Sequence, residues 1–187
     1  MCSMWLDSLR LKNNHIKEKG NKMQLKVKKL HPDAIIPKYQ TKGSAGFDVH
    51  ALIEPFDAPY GVPPFSEIIT IDAVTVLPMS QVIIKTGLAF SVPEGYEMQI
   101  RPRSGLAAKH SITITNSPGT LDNAYLDELF IILYNLGTKP FMIEHGDRIA
   151  QCVINKIEQV KLEEVEEFPE DILKTDRGGG LGSTGIK

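Results

Sequence analysis

The sequence predicts an all-β domain with one short helix. Short runs rich in Val, Ile, Thr and Phe recur along the chain, and Pro and Gly separate them, as expected for strands joined by turns. Many short strands at such spacing are typical of a β-sandwich or barrel. Only residues 104–109 begin like a helix, with Ser104 in position to cap the first turn. The predicted strands are 24–30, 68–76, 82–90, 96–101, 112–115, 129–133, 141–144 and 149–157.

Length and composition indicate one globular domain. The chain has 187 residues, of which 42% are hydrophobic, so it can bury a sizeable core. Its net charge of −2 provides no global basic field, so we predict no nucleic-acid partner and only a local anion site. No apolar run approaches the roughly 20 residues of a membrane span, and the N-terminus lacks the apolar core of a signal peptide. We therefore predict no membrane association.

The cysteine content favours a reducing compartment. Cys2 lies in a polar N-terminal segment and is a poor disulfide partner for Cys152. We therefore expect a cytoplasmic protein.

Composition divides the chain into four regions. Residues 1–22 are polar and mixed in charge, and we predict that they form a flexible N-terminal extension ahead of the β domain, 23–162. Residues 163–176 are predicted to form an acidic linker, and 177–187 a glycine-rich phosphate-binding tail. Within the domain, the proline-rich stretch 54–71 is predicted to be a surface loop, to which we assign no role.

The tail is suited to an anion. Residues 177–185 contain an arginine, two hydroxyl side chains and five glycines. Backbone N–H groups, hydroxyls and a guanidinium are all donors to phosphate oxygens. A tail that orders over a polyphosphate would act as a lid that excludes water. The alternative is an ordinary loose C-terminus.

Three further segments carry chemistry. In 101–107, arginines precede a predicted helix start, which suits an anion, although a capped turn with a surface arginine has the same letters. In 116–125, Pro-Gly predicts a tight hairpin turn followed by Asp122 and Tyr125; Asn and Asp are also common in ordinary turns. In 146–151, Asp147 and Arg148 read as an ion pair or turn cap, whereas glutamine is an unusual choice for the strand that follows.

Taken in order, these segments resemble the five motifs of the trimeric deoxyuridine triphosphatase (dUTPase) family. The resemblance extends from residue 23 to residue 185, and five motifs in sequence are far more specific than any one alone. The motifs correspond to residues 45–48, 101–107, 116–125, 146–151 and 177–185.

The resemblance implies a fold, an assembly and a reaction. The fold would be a dUTPase-like jelly roll (β-clip) that forms a homotrimer with three active sites at subunit interfaces. One chain would supply the hairpin, another the segments of Arg103, Ser104 and Gln151, and the third the tail. The substrate would be dUTP, hydrolysed to dUMP and pyrophosphate, which supplies dUMP for thymidylate synthesis and keeps uracil out of DNA. Mg²⁺ would be held by the triphosphate without dedicated protein ligands.

The resemblance also implies a role for each site residue. Asp122 would be the base that orients the attacking water, and Gln151 a second hydrogen-bond partner. Tyr125 would lie against the deoxyribose, where a ribose 2′-hydroxyl would clash, and Asn116 with the hairpin backbone would read uracil. Asp48 would hold Arg103 or a neighbouring arginine, although it also reads as a turn residue. The expected substrate-binding residues are Arg103, Ser104, Gly105, Asn116, Gly119, Thr120, Leu121, Tyr125, Arg177, Leu181, Gly182, Ser183 and Thr184, with Asp48 and Asp147 in support.

The chain departs from the family pattern at three places, one of which is the 54–71 stretch, longer than the corresponding hairpin of typical relatives. Leu126 and Asp127 follow Tyr125 where the family usually has Arg-Gly, and Leu181 replaces an aromatic residue in the tail. Leucine loses a ring–ring contact of about 1 kcal/mol, so a weaker lid is expected.

These departures leave two rivals open. One rival is a deoxycytidine triphosphate deaminase, which shares the fold. Such an enzyme needs a catalytic glutamate on the strand after the hairpin, and Glu128 is the only nearby candidate for it. The other rival is a non-catalytic binding module, which would have no need of the water-holding pair formed by Asp122 and Gln151.

Overall fold

The computed structural model describes residues 23–54, 67–69 and 73–169. The chain divides into two compact units, Met1–Ile157 and Glu158–Lys187. In the first unit the described residues form strands and one short helix, so the predicted all-β class is confirmed. The elements are β1 (Lys26–Lys29), β2 (Phe47–His50), β3 (Glu67–Ile69), β4 (Ala73–Val76), β5 (Gln81–Ser91), β6 (Tyr96–Arg101), α1 (Ser104–His110), β7 (Ile112–Ile114), β8 (Gly119–Leu121), β9 (Glu128–Asn135), β10 (Phe141–Glu144) and β11 (Arg148–Lys156).

The strands form three antiparallel sheets. Their orders are β1-β5-β9-β7, β10-β4-β3 and β2-β11-β6-β8. Alternate residues of β9 are buried, because one face of the strand packs on the core while the other is more open.

The core is built from the inner faces of these strands. Leu88, Phe90 and Met98 are fully or almost fully buried, and the rings of Phe47 and Phe90 stack with centroids 6.3 Å apart. Cys152 is a free, fully buried cysteine, and burial followed by the charge of Asp48 raises the pKa of its thiol to about 12. The thiol is therefore protonated at neutral pH and is one more core side chain.

Strand prediction fails where the segments are short and polar. Strand β2 contains Asp48 and His50, and β8 begins at a glycine, so neither has the apolar run that marks a strand. The predicted single strand 68–76 is wrong, because β3 and β4 pair antiparallel with each other. No Pro or Gly stands between them to signal that reversal.

The predicted hairpin at 116–122 is also wrong. Strand β7 pairs with β9, whereas β8 pairs with β6 in another sheet, so the chain crosses between sheets through the cis Ser117–Pro118 bond. Pro118 and Gly119 predict a turn correctly, but a local signal cannot say which partner the next strand will find.

Ser104 is not the helix cap. The N-cap of α1 is Arg103, which makes no side-chain capping bond, and Ser104 is the first helical residue. The carbonyl of Arg103 accepts the first helical hydrogen bond, from the N–H of Ala107 at 3.0 Å. The guanidinium of Arg103 is used elsewhere, as described below.

The second unit is described as far as residue 169. Residues 158–169 are exposed and contain no helix or strand. The boundaries of the acidic linker remain a prediction, and the tail with Arg177, Leu181, Gly182, Ser183 and Thr184 lies outside the described residues, as do the extension 1–22 and most of the 54–71 loop. Across the described ranges, no helix is long and apolar enough to cross a membrane.

Candidate active site

A cavity of about 850 Å³ brings together five predicted site residues. Strands β5, β6, β7 and β9 supply an aliphatic and aromatic wall, and the segments beside β8 supply polar groups. An apolar cavity with a few convergent polar groups is suited to a flat organic ring. The predicted residues that line it are Asn116, Gly119, Thr120, Leu121 and Tyr125, and the others are Ile83, Lys85, Ile100, Ile114, Asp127, Glu128, Leu129, Phe130 and Ile132.

Gly119 permits a close contact at this cavity. A Cβ at this position would lie 3.2 Å from Nδ2 of Asn116 and 3.4 Å from Cβ of Ile100. The missing side chain therefore lets the amide of Asn116 lie against the backbone of β8. This places a side-chain donor and acceptor beside the backbone groups that line the cavity.

Asp122 adjoins residues that line the cavity. It is exposed, and it stands between Leu121 and Tyr125, which both line the cavity. A turn joins these residues, because the N–H of Tyr125 donates to the carbonyl of Asp122 at 3.2 Å. Asp122 is therefore open to solvent and is next in the chain to the cavity lining.

Tyr125 is held by its hydroxyl. The hydroxyl donates to the main-chain carbonyl of Glu128 at 2.8 Å, while 39% of the residue remains exposed. Burial, followed by the charges of Asp127 and Glu128, raises the pKa of Tyr125 above 10.0. The phenol is thus a protonated donor at neutral pH, with a ring face available to a ligand.

A second cluster surrounds Asp48. This carboxylate is buried, and its Oδ2 lies 3.2 Å from Nε of Arg103 and 3.3 Å from Nη1 of Arg148. Nη1 of Arg103 also donates to the carbonyl of Arg148 at 2.7 Å. The expected pair of Asp48 and Arg103 is therefore present, and the guanidinium of Arg103 is fixed by two partners.

Arg148 was missed as a site residue. The sequence left Asp147 open as its ion-pair partner or as a turn cap, and the structure shows the cap, because Oδ2 of Asp147 accepts the N–H of Glu144 at 2.9 Å. Arg148 contacts Asp48 instead, a residue 100 positions away in the chain. The adjacent Asp147 and Arg148 at the start of β11 were the only hint in the sequence, and they do not indicate which carboxylate Arg148 contacts.

Gln151 lies in one row with Asp48 and Arg101. It is paired in register with Asp48 of β2 on one side and Arg101 of β6 on the other, so the three residues share a sheet face. The close approach of β2 needs Gly46, whose Cβ would lie 2.6 Å from the carbonyl oxygen of Cys152. Gln151 is half-buried in this row.

Ser104 and Gly105 lie at the start of α1, next to Arg103, and both are exposed. A Cβ at Gly105 would meet no atom within 4 Å, so nothing in the described structure fills the space above this turn. The segment is open to a bound anion.

His50 joins the Asp48 cluster and was not predicted. It is paired in register with Arg148, and its Nδ1 is buried without a hydrogen-bond partner among the described residues. Burial first, and the charge of Arg148 second, lower the pKa of His50 below 6.5. A neutral imidazole beside two guanidinium groups is the electrostatically favoured state.

The lowered pKa of His50 predicts that the stability of the fold depends on pH. Because the folded chain binds the His50 proton less readily than the unfolded chain, the free energy of unfolding should fall as the pH drops below 6.5, until the lowered pKa is passed. His50→Gln should flatten that part of the pH profile. Urea denaturation between pH 7.5 and 5 checks this, and an unchanged slope in the variant would contradict it.

The family follows from comparison with known proteins. Residues 67–185 match the family model described as dUTPase. The chain belongs to the dUTPase family. The family resemblance inferred from the five motifs is therefore confirmed.

Full-length relatives of the dUTPase family agree. A deoxyuridine 5'-triphosphate nucleotidohydrolase of Helicobacter pylori (strain P12) is 44% identical over 165 residues, which cover 88% of this chain and 98% of the relative. A protein of the same name from Wolinella succinogenes is 46% identical over 165 residues, covering 88% of this chain and 95% of the relative.

Solved dUTPase structures share the fold. A mutant dUTPase from phage phi11 of S. aureus, described with a structural Mg(II) ion, matches with a TM-score of 0.63 and 26% identity over 78% of this chain and 99% of its own. A mutant dUTPase of Staphylococcus bacteriophage 80alpha with dUpNHpp matches with a TM-score of 0.66 and 28% identity over 87% of this chain and 99% of its own. The predicted dUTPase-like β fold is confirmed.

The described side chains offer no cluster of metal ligands. Among the residues that the structure describes, no group of three or more His, Cys, Asp or Glu side chains is arranged to hold an ion.

Glu128, the candidate for a deaminase glutamate, has its Oε1 occupied by the N–H of Gly87 at 2.7 Å. The geometry thus gives the deaminase alternative no support.

Proposed function

We propose that this chain hydrolyses dUTP to dUMP and pyrophosphate. The observation that carries the proposal is the exposed Asp122 directly after Leu121 and three residues before Tyr125, both of which line a cavity together with Asn116, Gly119 and Thr120. Family membership supports the same reaction. The product would feed thymidylate synthesis, and removal of dUTP would keep uracil out of DNA, in a protein we expect to be cytoplasmic.

The cavity would take the uracil and the sugar. Asn116 and the backbone of β8 would form hydrogen bonds with the polar edge of uracil, and the apolar wall would leave no room for the methyl group of thymine. The ring of Tyr125 would lie against the deoxyribose, so a 2′-hydroxyl would collide with it. A site built around hydrogen bonds to one base rejects bases with a different donor pattern strongly.

Asp122 and Gln151 would act on water. The carboxylate of Asp122 would accept a proton as the water oxygen attacks the α-phosphorus in line, and Gln151 would orient the same water by a hydrogen bond. The bond from the α-phosphorus to the bridging oxygen breaks, and pyrophosphate leaves with that oxygen. The substrate would be the Mg²⁺ complex of dUTP, in which the ion would be held by the triphosphate and would neutralise part of its charge.

Hydrogen-bond donors of several segments would bind the triphosphate. Arg103, fixed by Asp48, would stabilise the charge on the phosphate oxygens together with Ser104 and Gly105 at the start of α1. The tail would close over the anion, with Arg177, Ser183 and Thr184 as donors, Gly182 giving close backbone approach and Leu181 covering the base.

Strand order supports an active site shared between copies. Asp122 follows β8 at one edge of the sheet β2-β11-β6-β8, whereas the guanidinium of Arg103 contacts Asp48 of β2 at the other edge. Strands lie about 4.8 Å apart, so three steps separate these edges by roughly 14 Å. Asp122 of one protomer would therefore meet Arg103 and Gln151 of another, in a homotrimer with sites at subunit interfaces.

A hydrolysis assay with Mg²⁺ across dUTP, dTTP, UTP and dCTP tests the function. Pyrophosphate release is expected from dUTP, with each other nucleotide at least about 100-fold poorer in kcat/KM. Light scattering of the same sample measures the oligomer. Ammonia release from dCTP would indicate a deaminase, and nucleotide binding without pyrophosphate release would indicate a binding module; either result contradicts the proposal.

A further inference from the structure

Two hydrogen bonds connect a bulge in β5 to Tyr125 through Glu128, and a third fixes the next residue of β9. The N–H of Gly87 donates to Oε1 of Glu128 at 2.7 Å, and the hydroxyl of Thr86 donates to the carbonyl of Leu129 at 2.7 Å. The hydroxyl of Tyr125 donates to the carbonyl of Glu128 at 2.8 Å. Of the residues in these bonds, Glu128 alone takes part in two: its carboxylate accepts from Gly87, and its carbonyl accepts from Tyr125.

The bulge makes these bonds necessary. The pairing of β5 with β9 shifts register between Lys85 and Ala89, which are opposite Phe130 and Glu128. Three residues of β5 therefore oppose Leu129 alone, and the regular ladder cannot satisfy every backbone group there. The side chains of Glu128 and Thr86 supply the missing partners, so they replace ladder bonds at the first residues of β9.

The bulge is a rigid anchor. Gly87 has a φ of +66°, and a Cβ there would lie 2.8 Å from Cβ of Ala34 and 2.8 Å from Cδ2 of Leu52. Its carbonyl also accepts the N–H of Leu30 at 2.8 Å. Because packing and hydrogen bonds fix Gly87 on several sides, its N–H presents a donor at a defined place for the Glu128 carboxylate.

We propose that Glu128 is a positioning residue for sugar selection: its carboxylate, bound to the bulge at Gly87, fixes the carbonyl that holds the hydroxyl of Tyr125. The proposal rests on the proposed function, in which Tyr125 lies against the deoxyribose. Glu128 begins β9, so without the carboxylate bond its backbone loses the link to Gly87 and keeps the pairing with Ala89 at the edge of the bulge. The Tyr125 ring is then no longer held at a fixed distance from the sugar, so a sugar with a 2′-hydroxyl is excluded less strictly.

The positioning role of Glu128 differs from that of a general acid or base. The carboxylate accepts a short hydrogen bond from a backbone N–H, a bond that an amide oxygen can also accept. A proton-transferring glutamate could not be replaced by glutamine, whereas a positioning glutamate can be. Glu128→Gln is therefore the variant that separates the two roles.

The test compares kcat/KM for dUTP and UTP in the full-length chain carrying Glu128→Ala, Glu128→Gln, Tyr125→Phe or the double change Glu128→Ala with Tyr125→Phe. Glu128→Ala should lower the dUTP to UTP ratio about tenfold, the scale of one lost charge-assisted hydrogen bond, and Glu128→Gln should keep it within about threefold. Tyr125→Phe should lower the ratio similarly. In the double variant Glu128→Ala should add no further loss, because its effect passes through the tyrosine hydroxyl.

A second readout does not depend on hydrolysis. With ¹³C-labelled tyrosine, the Tyr125 ring signal, assigned by its loss in Tyr125→Phe, should stay in place in Glu128→Gln and shift and average in Glu128→Ala. Glu94→Ala, at an exposed glutamate between β5 and β6, is the matched control and should change neither the ratio nor the signal. If Glu128→Ala does not fold, Glu128→Asp replaces it, since the shorter side chain draws the carboxylate back from Gly87.

The outcomes separate the two proposals. Absence of dUTP hydrolysis by the unchanged chain contradicts the proposed function, and the tyrosine signal still decides the role of Glu128. Loss of hydrolysis in Glu128→Gln, or a ratio and a signal that Glu128→Ala leaves unchanged, overturns the positioning role. A fall in melting temperature alone, with selectivity retained, overturns it as well.

Discussion

Replacing Asp122 with asparagine should lower kcat for dUTP by about 10²- to 10⁴-fold, the usual contribution of a positioned general base. The amide has the size of the carboxylate but cannot accept the proton of the attacking water. Because Asp122 is exposed, the fold should be retained. Pyrophosphate release measures kcat, and calorimetric titration with a non-hydrolysable dUTP analogue should show affinity within a few-fold of the unchanged chain.

The control for this prediction is Asp127→Asn. Asp127 is also an exposed carboxylate and lines the same cavity, so the change removes a charge of the same sign nearby. It should alter kcat by no more than about threefold, since only a group in contact with the water carries the full effect. Equal losses in the two variants would indicate a field effect, and a nearly active Asp122→Asn would refute the assignment of the base.

Replacing Asp48 with alanine should reduce both stability and phosphate binding. A buried carboxylate that contacts two guanidinium groups leaves them unpaired when it is removed, a change that costs 3–5 kcal/mol for fully buried pairs. Arg148 is 45% exposed at its side chain, so water recovers part of that cost, and about 2–3 kcal/mol is expected. Urea denaturation at one fixed protein concentration measures it.

The same variant should raise KM for dUTP about tenfold or more. Arg103 keeps its bond to the carbonyl of Arg148, but without Asp48 its guanidinium is no longer fixed by an ion pair. Asp33→Ala, at a carboxylate whose side chain is 72% exposed and lies 3.9 Å from His31, is the control and should change stability by less than about 0.5 kcal/mol. A stable Asp48→Ala chain with an unchanged KM would contradict the supporting role.

Sequence reasoning succeeded where the signal was local. The spans 96–101 and 141–144 were predicted to the residue, because the first alternates apolar and polar residues, the second is a short apolar run, and turn residues flank both. The site residues from 116 to 125 were identified by their resemblance to a dUTPase motif, and the structure brings most of them to one cavity. Their assigned chemical roles remain predictions, and so does everything assigned to the tail.

Sequence reasoning failed where partners are distant in the chain. Glu128 meets Gly87 across 41 positions, and Arg148 meets Asp48 across 100. A glutamate at the start of a strand and an arginine after a turn look like solvent-exposed residues until their partners are known. The short strands β2 and β8 were missed for the same reason, since pairing with β11 and β6 makes them strands despite weak local preference.

The amino-acid sequence by itself determined the class of fold and the order of most elements, because neighbours along the chain carry the periodicity and the turn residues. The resemblance of its motifs to those of the dUTPase family indicated the family, which the comparisons show. Only the tertiary structure decided that β7 and β8 belong to different sheets, that Asp48 joins two arginines, and that a bulge in β5 reaches Tyr125 through Glu128. The physical reason is that hydrogen bonds and ion pairs between remote segments depend on register and burial, which the packing of the whole domain sets.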